Sequence, residues 1–118
     1  QEQLSELYRI ADLGVIPSHY EEFGYVATEM LMYGIPIISN KSSGLSDVIG
    51  SDLYGDLIDL YRSDNQEDSI NLLASSMARL LLDQDRRVLL SKNARLRYLE
   101  KFSIDIFKQK MIEVYNAI

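Results

Sequence analysis

Two short apolar runs limit what this chain can fold into more than any other feature. They are Leu13-Gly-Val-Ile-Pro17 and Ile35-Pro-Ile-Ile-Ser39. Both are too short for helices and suit strands buried on both faces. Each carries a proline near one end, where the missing N–H removes no bond from the middle of a sheet. Between them, residues 24–33 read as a helix. Val26, Met30 and Tyr33 mark its apolar face, and Gly34 stands at its C-cap position. Buried strand, helix, buried strand is the unit of a parallel sheet covered by helices.

The rest of the chain extends that unit. Leu4, Leu7, Tyr8 and Ala11 recur at helical spacing, which predicts a helix over residues 2–10. Residues 40–43 read as a loop, residues 44–49 as a short helix, and Gly-Asp-Leu-Ile-Asp-Leu-Tyr at 55–61 as a third strand. Residues 62–118 read as helical. Asp64 with Glu67 resembles a capping box, followed by the stripe Ile70, Leu73, Ala74, Met77, Leu80 and Leu81. A second helix over 84–100 would turn Leu89, Leu96 and Leu99 inward. A third starts at the N-cap Ser103, with Phe102 and Phe107 as a hydrophobic staple. Its face would hold Phe107, Met111, Val114, Tyr115 and Ile118. The expected class is α/β, one structural unit over 1–118, with a narrow parallel sheet and a helical C-terminal portion. The order of elements reads as the back half of a doubly wound domain.

Length and composition agree. The 118 residues suffice for one domain with a modest core. With no cysteine and one histidine, disulfides, thiolate metal sites and histidine-built zinc sites are excluded. The opening QEQLSELYRI has no basic and apolar secretion pattern, and the apolar runs fall far short of the roughly 20 residues that span a bilayer. A soluble, cytoplasmic chain is expected. The net charge of −6 is uneven: residues 1–61 carry only Arg9 and Lys41 as strong bases, against ten acidic residues. A nucleic-acid binder needs the reverse. The basic cluster Arg86, Arg87, Lys92, Arg95, Arg97 and Lys101 reads as a solvated helix face, or else as a surface for anionic lipid. The eight tyrosines are scattered and suggest no stacking platform.

In a parallel α/β sheet, ligands bind at the carboxyl ends of the strands. The loop Ser18–Phe23 lies there and leads into a helix near Gly24. The first N–H groups of that helix lack intrahelical partners and carry the positive end of the helix dipole, which suits an anion. Glycine lets a phosphate or sugar come close to the backbone. The carboxylates Glu21 and Glu29 cannot ligate phosphate, but they can accept hydrogen bonds from hydroxyls. Amides between two such acceptors match a ligand with phosphate in the middle and a sugar at each end.

The segment PSHYEEFGYVATEMLMYGIPIISNKSSGLSDVI resembles the donor-binding segment of retaining GT-B glycosyltransferases of group 1. The shared elements are Pro17-Ser18, the carboxylates Glu21 and Glu29 with Phe23-Gly24 between them, and Gly34-Ile35-Pro36. The helix into Ala11-Asp12 and the Phe102-Ser103 step extend the likeness along most of the chain. The resemblance implies the C-terminal part of a Rossmann-like GT-B domain. Glu21 would be the catalytic-site carboxylate on the donor-sugar hydroxyls. Amides of Phe23, Gly24 and Tyr25 would hold the diphosphate or sugar, and Glu29 the ribose. His19, Glu22 and Gly44 are candidate pocket residues.

The expected substrate is a UDP- or GDP-type nucleotide sugar, with no cofactor and no metal. A glycan or lipid acceptor would bind an N-terminal domain that this chain lacks, and peripheral membrane contact belongs to the same expectation. Glu22, Ser43 and Asp47 depart from the family's usual small residue, glycine and glutamate. The family's diphosphate-clamping cations lie upstream of the matching segment, so the chain alone is expected to be inactive. Two other readings are a receiver-like flavodoxin module and a degenerate transferase domain kept for binding a partner. The first wants clustered acids and a lysine at strand ends, where this chain has Pro17, Asn40 and Arg62. The intact Glu21–Gly24–Glu29 pattern opposes the second.

Overall fold

A computed structural model describes all residues, 1–118. The elements follow the expected order: α1 (Glu2–Ile10), β1 (Gly14–Ile16), α2 (Tyr25–Met32), β2 (Ile37–Asn40), α3 (Ser43–Ile49), β3 (Asp56–Ile58), α4 (Gln66–Leu82), α5 (Gln84–Lys101) and α6 (Ile104–Asn116). The strands form one parallel sheet in the order β1-β2-β3. Gly14 lies opposite Ile37, and Ile38 opposite Val15 on one side and Asp56 on the other.

The central strand β2 is buried along its whole length. Side chains alternate along a strand, so Ile37 and Ile38 enter different clusters. Ile37 joins Ile16, Ala27, Leu31, Leu45, Val48, Ile49 and Ala94. Ile38 joins Leu80 and Leu90 on the other face. The edge strand β3 is only half-buried. No helix is long and apolar enough to cross a membrane.

Helix ends follow the sequence closely. Gly34 adopts φ 66° after α2, where Ile35 N–H donates to Met30 C=O and Gly34 N–H to Leu31 C=O. That is the Schellman closure expected of a glycine there. Ser103 accepts from Ile106 N–H and caps α6. The cap of α4 is Asn65, accepting from Glu67 N–H, rather than Asp64.

Helix faces depart from expectation. In α2 the buried residues are Ala27 and Leu31, while Val26 is half-exposed. In α4 the stripe Leu73, Met77 and Leu80 packs inward and leaves Ile70, Ala74 and Leu81 exposed; three strands need no wider cover. In α5 the inward line runs Leu90, Ala94, Tyr98, Phe102 at every fourth position. Its small alanine and hydroxyl-bearing tyrosine hide that line from a search for large apolar residues. Leu89, Leu96 and Leu99 lie off it, exposed. Phe102 packs on the larger cluster, whereas its expected staple partner Phe107 is exposed, and no residue of α6 is buried.

The basic face of α5 is neither simply solvated nor free. Arg86 pairs with Asp56 at 2.9 Å. Arg87 donates to the carbonyls of Leu80 and Leu81 at the end of α4, and Arg95 to Met32 at the end of α2. Arg97 donates to Asp47 C=O (3.0 Å) and Val48 C=O (3.2 Å) near the end of α3, and its guanidinium lies near the Tyr54 and Phe102 rings. Terminal carbonyls lack intrahelical donors and carry the negative end of the dipole, so a guanidinium satisfies both needs. Lys92 and Lys101 alone in that cluster engage no partner. Arg97→Ala should therefore lower unfolding free energy in urea by about 1–2 kcal/mol. Lys92→Ala should change it by less than about 0.5 kcal/mol. Equal effects would show that carbonyl capping contributes nothing.

Candidate functional site

Residues 17–24 leave the carboxyl end of β1 and enter α2, and contacts from three directions hold this loop. Asn40, at the end of β2 and only 2% exposed, donates from Nδ2 to Ser18 C=O at 3.0 Å. Its Oδ1 accepts from Leu60 N–H at 3.0 Å, so one buried amide ties the exits of β1 and β3 together with both ends satisfied. The Tyr61 hydroxyl donates to Pro17 C=O at 2.6 Å. Gly44 N–H donates to Glu21 C=O at 3.1 Å.

Gly44 leaves no room for a side chain. A methyl group there would lie 2.1 Å from the Glu21 carbonyl oxygen and 2.6 Å from that of Glu22. The first turn of α3 thus rests directly on the Glu21-Glu22 backbone. Gly44 shapes the loop through its backbone.

Gly24 is the N-cap of α2, in the left-handed region at φ 62° and ψ 39°. An L side chain there is strained and would also meet Val48 Cγ2 at 3.1 Å. The Gly24 carbonyl accepts from Thr28 N–H and Thr28 Oγ1. The N–H groups of Phe23, Gly24, Tyr25 and Val26 meet no acceptor in the chain. Unpartnered donors at one helix start, next to a sheet's carboxyl edge, can receive an anion.

The carboxylates around this start differ in their surroundings. Glu21 is half-buried and its carboxylate has no hydrogen bond or ion pair. Glu22 accepts from the Tyr20 hydroxyl at 3.3 Å. Glu29 Oε2 accepts from the Tyr8 hydroxyl at 2.7 Å. Burial, then the hydrogen bond and charge of Glu29, then Tyr33, push the Tyr8 hydroxyl up to about 12. None of the three carboxylates meets a cation, and the one side-chain ion pair is Arg86–Asp56.

Three aromatic pairs lie near this loop and α2. Phe23 and Tyr25 stack at 5.6 Å, both largely exposed beside the helix start. His19 lies on Tyr61 at 4.4 Å, and Tyr8 on Tyr33 at 5.2 Å.

The fold therefore gathers Glu21, Glu22, Phe23, Gly24, Tyr25 and Gly44 around one helix start, with His19 on the loop before it. It sets Glu29 further along α2, facing α1. Asn40, Tyr61 and Tyr8 escape the sequence reading. Asn40 had a signal, a polar side chain ending an apolar run; Tyr61 and Tyr8 had none, because their partners lie 44 and 21 residues away. Gly44→Ala should destabilise the protein by about 1–3 kcal/mol, as overpacking does. Thermal and urea unfolding would measure it, and an unchanged midpoint would mean that α3 does not rest on the loop.

Comparison with known proteins follows the same segment. A family model described as glycosyl transferases group 1 matches residues 1–97. A D-inositol 3-phosphate glycosyltransferase of Thermobispora bispora is 36% identical over 116 residues, which cover 98% of this chain and 25% of that protein. One from Salinispora tropica is 34% identical over 115 residues, covering 98% and 22%. The chain thus spans 22% to 25% of the length of these two relatives. Sucrose-phosphate synthase from Thermosynechococcus elongatus superposes with a TM-score of 0.80 and 31% identity, over 98% of this chain and 27% of its own. Anabaena HepE, solved in complex with UDP-glucose, superposes with a TM-score of 0.79 over 100% of this chain and 31% of its own. At 21% identity that likeness is one of fold.

Proposed function

This chain belongs to the group 1 glycosyl transferases, and on that premise we propose that it forms the donor-binding wall of a retaining, nucleotide-sugar-dependent hexosyltransferase. The observation that carries this reading is the start of α2, where a run of unpartnered amides stands between Glu21 and Glu29 at the carboxyl end of β1. The amides of Phe23, Gly24 and Tyr25 receive the diphosphate and stabilise the charge that grows on it as the glycosidic bond breaks. Glu21 accepts from hydroxyls of the donor sugar. Glu29 accepts from the ribose through the carboxylate oxygen that Tyr8 does not engage. His19, Glu22 and the backbone at Gly44 border the sugar end. A UDP- or GDP-sugar is the donor class, and HepE, alike in fold, was solved with UDP-glucose.

The acceptor, a glycan or lipid, binds outside these 118 residues, in a cytoplasmic protein that touches the membrane peripherally at most. The reaction requires no metal. A leaving diphosphate needs nearby cations. Residues 1–61 offer only Arg9 and Lys41 as strong bases, so the chain by itself is inactive. The family match sets aside the receiver alternative.

Glu29→Ala in the full-length protein should weaken binding of a UDP- or GDP-sugar by about tenfold or more, as loss of a charged hydrogen bond does. Calorimetric titration measures it, and unchanged affinity removes Glu29 from the site. Transfer of labelled sugar by the isolated 118-residue chain would contradict its predicted inactivity.

A further inference from the structure

Glu29 is held by a residue of another helix, 21 positions earlier in the chain. The Tyr8 hydroxyl on α1 donates to Glu29 Oε2 at 2.7 Å, a charge-assisted contact. Tyr8 is itself fixed. Its ring packs against Tyr33 at 5.2 Å, and the Tyr33 hydroxyl returns to α1 by donating to Ser5 Oγ at 3.1 Å. The two helices are thus bracketed by Tyr8, Tyr33, Ser5 and Glu29. No lysine, arginine or histidine meets the carboxylate, and the other oxygen of Glu29 has no partner in the chain. A glutamate on an exposed helix face samples several rotamers, and ordering it on ligand binding costs free energy. One hydroxyl donor on one oxygen removes much of that freedom, leaving the second oxygen presented for another donor.

We propose that Tyr8 is a positioning residue that preorganises Glu29 to accept the vicinal hydroxyls of a nucleotide ribose. The inference rests on the donor-binding reading of Glu29. Its consequence is specific: Tyr8 contributes to affinity only when the ligand carries ribose hydroxyls. The hydroxyl is a donor throughout the neutral range, as a tyrosine ordinarily is.

The test uses the full-length protein, with UDP and GDP each compared with its 2′,3′-dideoxy counterpart. The readout is the ratio of dideoxy to ribo dissociation constants. Tyr8→Phe keeps the ring on Tyr33 and removes only the donor. It should weaken ribonucleotide binding on the order of three- to tenfold, the effect of one side chain left unordered. Dideoxy binding should hold steady, so the ratio falls. Loss of fold stability alone would move both constants together and leave the ratio intact. A ratio in Tyr8→Phe equal to that of the unaltered protein overturns the role of Tyr8. A ratio near one in the unaltered protein instead removes Glu29 from the ribose site, and with it the premise. Glu29→Gln combined with Tyr8→Phe should be no worse in that ratio than Glu29→Gln alone; additive losses would contradict action through Glu29.

Discussion

The alternation of Ile37 and Ile38 in the central strand is the constraint on which the rest of the structure depends. One residue step sends two fully buried isoleucines into opposite clusters, so both faces of the sheet must be covered. α2, α3 and the second half of α5 cover one face; α4 and the start of α5 meet on the other. The same strand ends in Asn40, whose buried amide joins the loops leaving β1 and β3. Burial of β2 and placement of the candidate site are therefore one event. A register slip of one residue would turn both isoleucines to the wrong faces and move Asn40 away from Ser18 and Leu60.

The arginines of α5 complete the layer. Three of them close the carbonyl ends of α4, α2 and α3, and a fourth pairs with Asp56. This bears on charge as much as on stability. The helical half contains most of the chain's cations. Its four arginines on α5 are occupied by carbonyl oxygens and a carboxylate, leaving none for an anion at the start of α2. That start offers only amides and the helix dipole, worth roughly half a charge. Neither the acidic first half nor the engaged arginines of α5 thus bring a cation to the carboxylates around the start of α2.

Much of this was legible in the sequence where the cause is local. The proline-bounded apolar runs, the Gly34 closure and the Ser103 cap depend on a few adjacent residues, and each appears where expected. The Glu21–Gly24–Glu29 spacing likewise placed a helix start between two carboxylates. What was not legible has partners distant in sequence. A glycine at 44 shows only that no side chain is present; that its place is filled by the Glu21 and Glu22 carbonyls becomes visible once α3 is folded onto the loop. Tyr8 reads as part of an apolar stripe until α1 meets Glu29. The inward line of α5 passes through Ala94 and Tyr98, which a hydrophobic pattern ranks below the exposed leucines beside them.

The central claim is that amides at the start of α2, flanked by carboxylates, receive the phosphates of a sugar nucleotide. A crystal structure of the full-length protein with a bound UDP- or GDP-sugar tests it most directly. The account predicts phosphate oxygens within hydrogen-bond distance of the amides of Phe23, Gly24 and Tyr25, with Glu29 on the ribose. Phosphates bound instead among Arg79 and Arg86 beside β3, with the start of α2 left to solvent, would contradict it.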